Sequence, residues 1–179
     1  MPSLELGCGP HSKVGDVGVD IRPGPAVDLV HDLNQVPWPL DTSSYERVIC
    51  LNVLEHLVDV VKVMEEIHRV AAPGGVILIR VPTGSSSDLF TDPTHIRGFG
   101  YHSFDYFVPG TQLAHYGYSN ATFAIQKVRF ERARARALGL VDRVACAFAN
   151  AFPTFYESRL TYIYPMTSLY IELVVLKAK

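Results

Sequence analysis

Leu4-Glu5-Leu6-Gly7-Cys8-Gly9-Pro10 opens the chain as an apolar run broken by a Gly-x-Gly turn, and Gly18-Val19-Asp20 follows closely. Glycines at a strand end let bare backbone approach a ligand, and an acidic residue at the tip of the next strand can hold a ribose through both hydroxyls. The layout points to a nucleotide-type cofactor, with Asp20 as its first candidate contact. A nicotinamide dinucleotide fits less well. Ser12 stands where the third glycine of that fingerprint belongs, and Asp20 comes too soon for an acidic residue expected about 20 residues on. Pro10, Gly15 and Gly18 also interrupt any helix whose amino terminus would face a pyrophosphate.

With 179 residues, 48% of them hydrophobic, and a formal net charge of -2, the chain can fill one core and not two. A single domain over 1–179 is expected. No apolar run approaches the roughly 18 residues that span a bilayer, and Met1 to Pro10 has neither a basic segment nor an apolar h-region. Neither a membrane partner nor export is indicated, and a cytoplasmic location is expected. The charge balance gives no global field for nucleic acid. Lys127, Arg129, Arg132, Arg134, Arg136 and Arg143 make a local basic stretch that reads as a solvated face. Cys8, Cys50 and Cys146 are odd in number and apolar in setting, which fits reduced buried thiols rather than a disulfide frame or zinc knuckle. No metal is expected.

Short β-rich runs at Leu4–Leu6, Val17–Asp20, Val27–His31, Val48–Asn52 and Val76–Val81 read as strands covered on both faces. Between the last two, Val60, Met64, Ile67 and Val70 or Ala71 recur at helical spacing, with Lys62, Glu65, Glu66 and Arg69 outside the stripe. That helix stops at Ala72-Pro73-Gly74-Gly75. Residues 82–119, rich in Gly, Ser, Asp and aromatics, read as a long loop or lid, and a loop of that length usually has a job. Ala121–Phe130 reads as a strand, Ala133–Ala151 as a helix with Leu138, Val141, Ala145 and Phe148 on one stripe, Phe155–Tyr162 as a shorter helix and Leu169–Leu176 as a final strand. The alternation predicts an α/β fold with a mostly parallel sheet and an antiparallel C-terminal edge. Gly7, Asp20, Asp32 and Asn52 then fall at strand carboxyl ends, where ligands bind in such sheets.

These residues resemble the class I S-adenosylmethionine-dependent methyltransferases, type 11. The resemblance rests on Leu4–Pro10, Val19-Asp20-Ile21, His31-Asp32-Leu33 and Val48–Leu57. Ile67-His68-Arg69-Val70 leading into Pro73–Ile79 extends it, as does the terminal Tyr170–Lys177. It covers essentially the whole chain, specifically before Pro82 and more loosely after. It implies a Rossmann-like methyltransferase sheet and S-adenosyl-L-methionine as cofactor. Gly7, Cys8 and Gly9 would approach the methionyl part, and Glu5 its amino group. Asp20 with Ile21 would hold the ribose, and Asp32 with Leu33 the adenine. The Asn52 carbonyl, with Val53 and His56 beside it, would face the sulfonium side. One departure is clear. Only Gly7–Asp16 separate the first two strands, so the first helix is shortened or absent. The sheet face left bare would form a homodimer contact or be covered by Ala133–Tyr162.

A sulfonium methyl needs alignment and water exclusion more than activation, and a base only when the acceptor carries a proton. His95 is the candidate base or acceptor-orienting residue. Asp92, His95, Arg97 and Tyr101 form the candidate acceptor pocket, with the alternatives that His95 merely orders its loop and Arg97 merely pairs with Asp92. The aromatics from Phe99 to Tyr118 form either a lid or a satellite core. A small-molecule acceptor is expected. A catalytically silent cofactor-binding module acting through a partner is the main alternative, and a nicotinamide oxidoreductase the weaker one.

Overall fold

A computed structural model describes residues 1–132 and 139–177. Seven strands form one sheet in the order β3-β2-β1-β4-β5-β7-β6. They are β1 (Ser3–Leu6), β2 (Val17–Asp20), β3 (Leu29–Val30), β4 (Tyr45–Leu51), β5 (Ala71–Pro82), β6 (Phe123–Glu131) and β7 (Ser168–Val175). The first five pair in parallel, and β7 runs antiparallel to both neighbours. The C-terminal strand is therefore the antiparallel one, as expected, but it sits one place in from the edge, with β6 outside it. The helices are α1 (Val60–Val70), the single turn α2 (Asp88–Thr91), α3 (Gly139–Ala151) and α4 (Pro153–Arg159). No helix among the described residues is long and apolar enough to cross a membrane.

Register builds the core. Leu4 lies beside Val48, Val48 beside Ile77, and Ile77 beside Leu173; the next row on that face runs Leu6, Cys50, Ile79, Ile171. Every one of these side chains is fully buried, and they form one cluster with Val63, Met64, Ile67 and Val70 of α1. Each aliphatic side chain so removed from water contributes about 1.5–3 kcal/mol. On the opposite face Val76, Leu78, Arg80, Tyr170, Glu172 and Val174 stay only half-buried. The three thiols are free, and burial pushes that of Cys50 up.

No helix intervenes between β1 and β2, and side chains order the connection instead. The Glu5 carboxylate accepts from the Val14 amide and, at 3.0 Å, from that of Gly15. The Asp16 carboxylate accepts from Ser3 N at 2.8 Å, Lys13 pairs with Asp28, and Asp28 accepts from Gly18 N at 2.7 Å. Gly18 is required here, because a Cβ would lie 2.6 Å from the Ala26 carbonyl oxygen and 2.8 Å from Cys8 Sγ.

α1 begins at Asp59, whose side chain accepts from Lys62 N at 3.1 Å, and carries His68 and Arg69 in its last turn, as the helix dipole favours. One residue expected outside its buried stripe turns inward. Glu66 accepts from Trp38 N at 2.7 Å and from Arg69 Nη2 at 2.8 Å, which ties the 31–44 connection to the helix. Burial by itself would raise the Glu66 carboxyl. The Arg69 hydrogen bond, the Trp38 amide and the Arg69 charge together hold it below the usual value instead. Glu66→Gln should lower stability at neutral pH by about 2 kcal/mol. Because the native carboxyl lies below its unfolded value near 4.3, wild type keeps this advantage above that pH and loses it as pH falls through the native value. Chemical denaturation at pH 7 and pH 3 reads the difference; an equal gap at both would remove the ion pair from the explanation.

The later half departs more from the sequence pattern. α3 buries Asp142 and Ala149 and half-buries Ala145 and Cys146, while Val141 and Phe148 face solvent. Polar bonding rotates the helix. Asp142 is held by Arg132 Nε at 2.6 Å and the Tyr164 hydroxyl at 2.7 Å, and Asn150 grips the Phe130 backbone. Leu138, Arg134 and Arg136 lie outside the described residues. The shorter helix starts earlier than expected, at Pro153, and leaves Tyr162 exposed. In the long segment, Phe99, Phe104 and Phe107 are buried in the main core, and Tyr106 stacks on Tyr118 with Tyr116 tilted against both. These aromatics form part of the core and an exposed cluster beside it.

Candidate active site

Strand order reverses between β1, which is followed in sequence by its neighbour β2, and β4 on its other side. In open α/β sheets ligands enter at such a switch point, beyond the strand carboxyl ends. A cavity of about 600 Å³ opens there, lined by Gly7, Gly9, Asp20, Ile21, Arg22, His31, Asp32, Leu33, Asn34, Asn52, Val53, His56, Leu57, Asp92 and Thr94. Its size is ordinary for a small-molecule site.

The β1 turn is fixed from behind, since Gly7 N and Cys8 N both donate to the Val19 carbonyl, at 2.8 and 3.2 Å. Gly7 has φ +67, and a Cβ on it would stand 2.5 Å from Val53 Cγ2. Gly9 has φ +75. Both conformations favour a residue without Cβ. The Gly9 amide donates to Asp20 Oδ2 and the Arg22 amide to Oδ1, each at 2.9 Å. These bonds fix the carboxylate at the end of β2, and each oxygen keeps lone-pair capacity for a further donor. At the end of β4, Asn52 adopts φ +52, a left-handed conformation uncommon outside glycine, and lines the cavity. Asp32 Oδ1 accepts from the Asn34 amide at 3.0 Å, and the Leu33 carbonyl is held by Trp38 Nε1 at 3.1 Å.

Ten residues expected at the site line the cavity: Gly7, Gly9, Asp20, Ile21, Asp32, Leu33, Asn52, Val53, His56 and Asp92. Five do not. Glu5 spends its carboxylate on the 14–15 amides, and the Cys8 thiol points to the Ala26 carbonyl at 3.7 Å. Tyr101 packs on Phe130, and Arg97 donates to the Val58 carbonyl at 2.6 Å rather than to Asp92. His95 turns away from the cavity into the protein, with Nε2 3.8 Å from Glu55 Oε1 and its ring 4.6 Å from that of His56. Arg22, His31, Asn34, Leu57 and Thr94 were not expected. Arg22, Asn34 and Thr94, each two residues beyond an acidic candidate and each donating its amide to that carboxylate, had a positional signal.

Below the cavity, Glu55 is completely buried and both of its carboxylate oxygens lack a hydrogen-bond partner among the described residues, as does His95 Nδ1. Burial pushes the Glu55 carboxyl up to about 7, opposed by its own backbone and by His95. Nearer the surface, Asp92 accepts from the Thr94 amide and hydroxyl, which hold its carboxyl below the usual value. The Thr94 hydroxyl also meets His56 Nδ1 at 2.9 Å.

Strand order, glycine turn and acidic residue at β2 are those of a Rossmann-like methyltransferase fold. Residues 13–79 match the family described as a methyltransferase domain, of the type 11 group. A probable S-adenosylmethionine-dependent methyltransferase of Mycolicibacterium smegmatis is 35% identical over 77 residues, which cover 41% of this chain and 30% of that protein. The match thus spans about a third of that relative's length. Among solved structures, a SAM-dependent methyltransferase from Archaeoglobus fulgidus superposes with a TM-score of 0.58 at 15% identity, covering 97% of this chain and 85% of that one. A Haloferax volcanii methyltransferase structure, solved in a complex with the Trm112 activator, gives a TM-score of 0.56 at 14% identity, covering 98% and 82%.

Proposed function

We propose that this domain binds S-adenosyl-L-methionine and transfers its methyl group to a small-molecule acceptor by in-line displacement. The observation that carries this is the convergence of the β1 turn, Asp20, Asp32 and the left-handed Asn52 on one cavity at the switch point. Asp20, already fixed by two backbone donors, would accept both ribose hydroxyls. Asp32 and the Leu33 backbone would meet the adenine, and Gly7 and Gly9 would let the methionyl portion lie against bare backbone. The leaving thioether is neutral, so alignment in a closed site supplies most of the acceleration, worth about 7–11 kcal/mol for a well-oriented pair. The acceptor would approach from the side of His56, Asp92 and Thr94. His95 does not line the cavity, so it is not assigned as a base acting on the acceptor.

The test is incubation with methyl-labelled cofactor and a small-molecule extract; the reading predicts a labelled product, and its absence with cofactor bound would favour a silent module. That second reading draws support from the acceptor side, where His95, Arg97 and Tyr101 do not line the cavity. Calorimetry separates both from nicotinamide binding: S-adenosylmethionine and S-adenosylhomocysteine should bind and NADH should not. In the same assay Asp32→Ala should weaken the cofactor by about tenfold, the loss of one hydrogen bond to a charged acceptor. Unchanged affinity would move the adenine elsewhere. A homodimer would form on the half-buried face of β5 and β7, and sedimentation velocity reads it directly.

A further inference from the structure

We propose that Glu55, His56 and His95 form a binding site for a divalent transition cation, with Zn²⁺ as the best fit, at the acceptor end of the crevice. One ligand atom from each residue lies within 4.8 Å of the other two. Tetrahedral zinc with bond lengths of about 2.0–2.2 Å places its ligands about 3.4 Å apart. The Glu55–His95 separation of 3.8 Å is close to this already, and the widest separation must close by about 1 Å or a little more.

The second observation is the unmet polarity of the cluster. Both Glu55 oxygens and His95 Nδ1 are buried without hydrogen-bond partners among the described residues. A buried carboxylate without partners is costly, and at 3.8 Å the His95 ring is too far to supply a hydrogen bond. A cation between them would satisfy the carboxylate. His56 is already oriented as a metal-binding imidazole usually is. Its Nδ1 is engaged by the Thr94 hydroxyl, which is itself anchored on Asp92, an outer partner of the kind that fixes ring orientation.

The backbone brings the ligands together across the 38 residues that separate His56 from His95. The 3-10 turn Leu54–His56 follows β4, and His95 lies beyond β5. Ile96 N donates to the Glu55 carbonyl at 3.0 Å and Arg97 to that of Val58, clipping the two segments to each other. Two imidazoles and one carboxylate favour zinc-like cations over Mg²⁺ or Ca²⁺. Three protein ligands also leave an open position of the type found in catalytic rather than structural zinc sites. Because His56 lines the cavity, that position would face the acceptor. The role, polarising an acceptor oxygen, rests on the methyltransferase reading; the site itself does not.

The test titrates the full chain, stripped of metal by a chelator, with Zn²⁺, Mg²⁺ and Co²⁺. Zn²⁺ should bind at a single site, Co²⁺ should give visible absorption of a low-coordinate site, and Mg²⁺ should not compete. Glu55→Gln, which preserves shape, and His95→Asn should each weaken Zn²⁺ by more than about 100-fold, beyond the 10–100-fold typical of changes outside the ligand set. Circular dichroism and S-adenosylmethionine affinity report whether each variant is folded. Absent Zn²⁺ binding, or binding indifferent to both variants, overturns the site. Zn²⁺ binding without cofactor binding sinks the methyltransferase reading and leaves the site standing, and cofactor binding without Zn²⁺ does the reverse.

Discussion

Asp20→Ala is expected to lower S-adenosylmethionine affinity by roughly 10²–10⁴-fold, the loss of two charge-assisted bonds worth about 1.5–3 kcal/mol each. The substitution also frees the Gly9 and Arg22 amides that the carboxylate holds at 2.9 Å, so the β1 turn should loosen with it. Asp20→Asn separates the two contributions. The amide still offers one oxygen, and an intermediate loss of about tenfold is expected. Calorimetry gives the affinities, and thermal unfolding without cofactor reports the turn. Near-native affinity in Asp20→Ala would falsify the ribose assignment, and with it the orientation of the whole ligand.

The largest effect on stability is expected from Gly7→Ala. An L residue at φ +67 costs about 1–2 kcal/mol. The added methyl also stands 2.5 Å from Val53 Cγ2, an overpacking of a kind that costs about 1–3 kcal/mol. Together these should lower the melting temperature by roughly 5–15 °C for a chain of this size and tilt Val53 into the cavity. Val53→Ala added to Gly7→Ala should recover only part of the steric cost, because Val53 Cβ itself lies 2.8 Å from the added methyl, and should leave the conformational part, a favourable coupling in a double-mutant cycle. Strict additivity of the two would show that the valine γ-methyls are not the obstacle.

Legibility in the sequence follows the range of the interactions involved. Strands β1 and β2 and helix α1 are local patterns, apolar runs or a 3.6-residue stripe, and they formed close to where they were read, whereas β4 and β5 begin three and five residues earlier than expected, at Tyr45 and Ala71. The missing helix between β1 and β2 was also readable, because Gly7–Asp16 is too short for a helical crossover. Glu66 and α3 misled the pattern for one reason. Buried polar pairs outweighed the apolar stripe: Glu66 with Arg69 and the Trp38 amide, Asp142 with Arg132 and Tyr164. Periodicity weighs side chains one at a time and carries no information about such partners.

The chain order alone set the side of the crevice proposed to hold the cofactor. A parallel sheet places its strand carboxyl ends along one edge, so Gly7, Asp20, Asp32 and Asn52 had to meet once their strands were assigned. Only the tertiary structure decided that Glu5 is withdrawn from that side to brace a loop, and decided the proposed acceptor side, where Arg97 and Tyr101 turned elsewhere and His95 swung under the cavity to face Glu55. Those positions depend on how connections fold over the sheet, through contacts between residues tens of positions apart, and no local spacing encodes them.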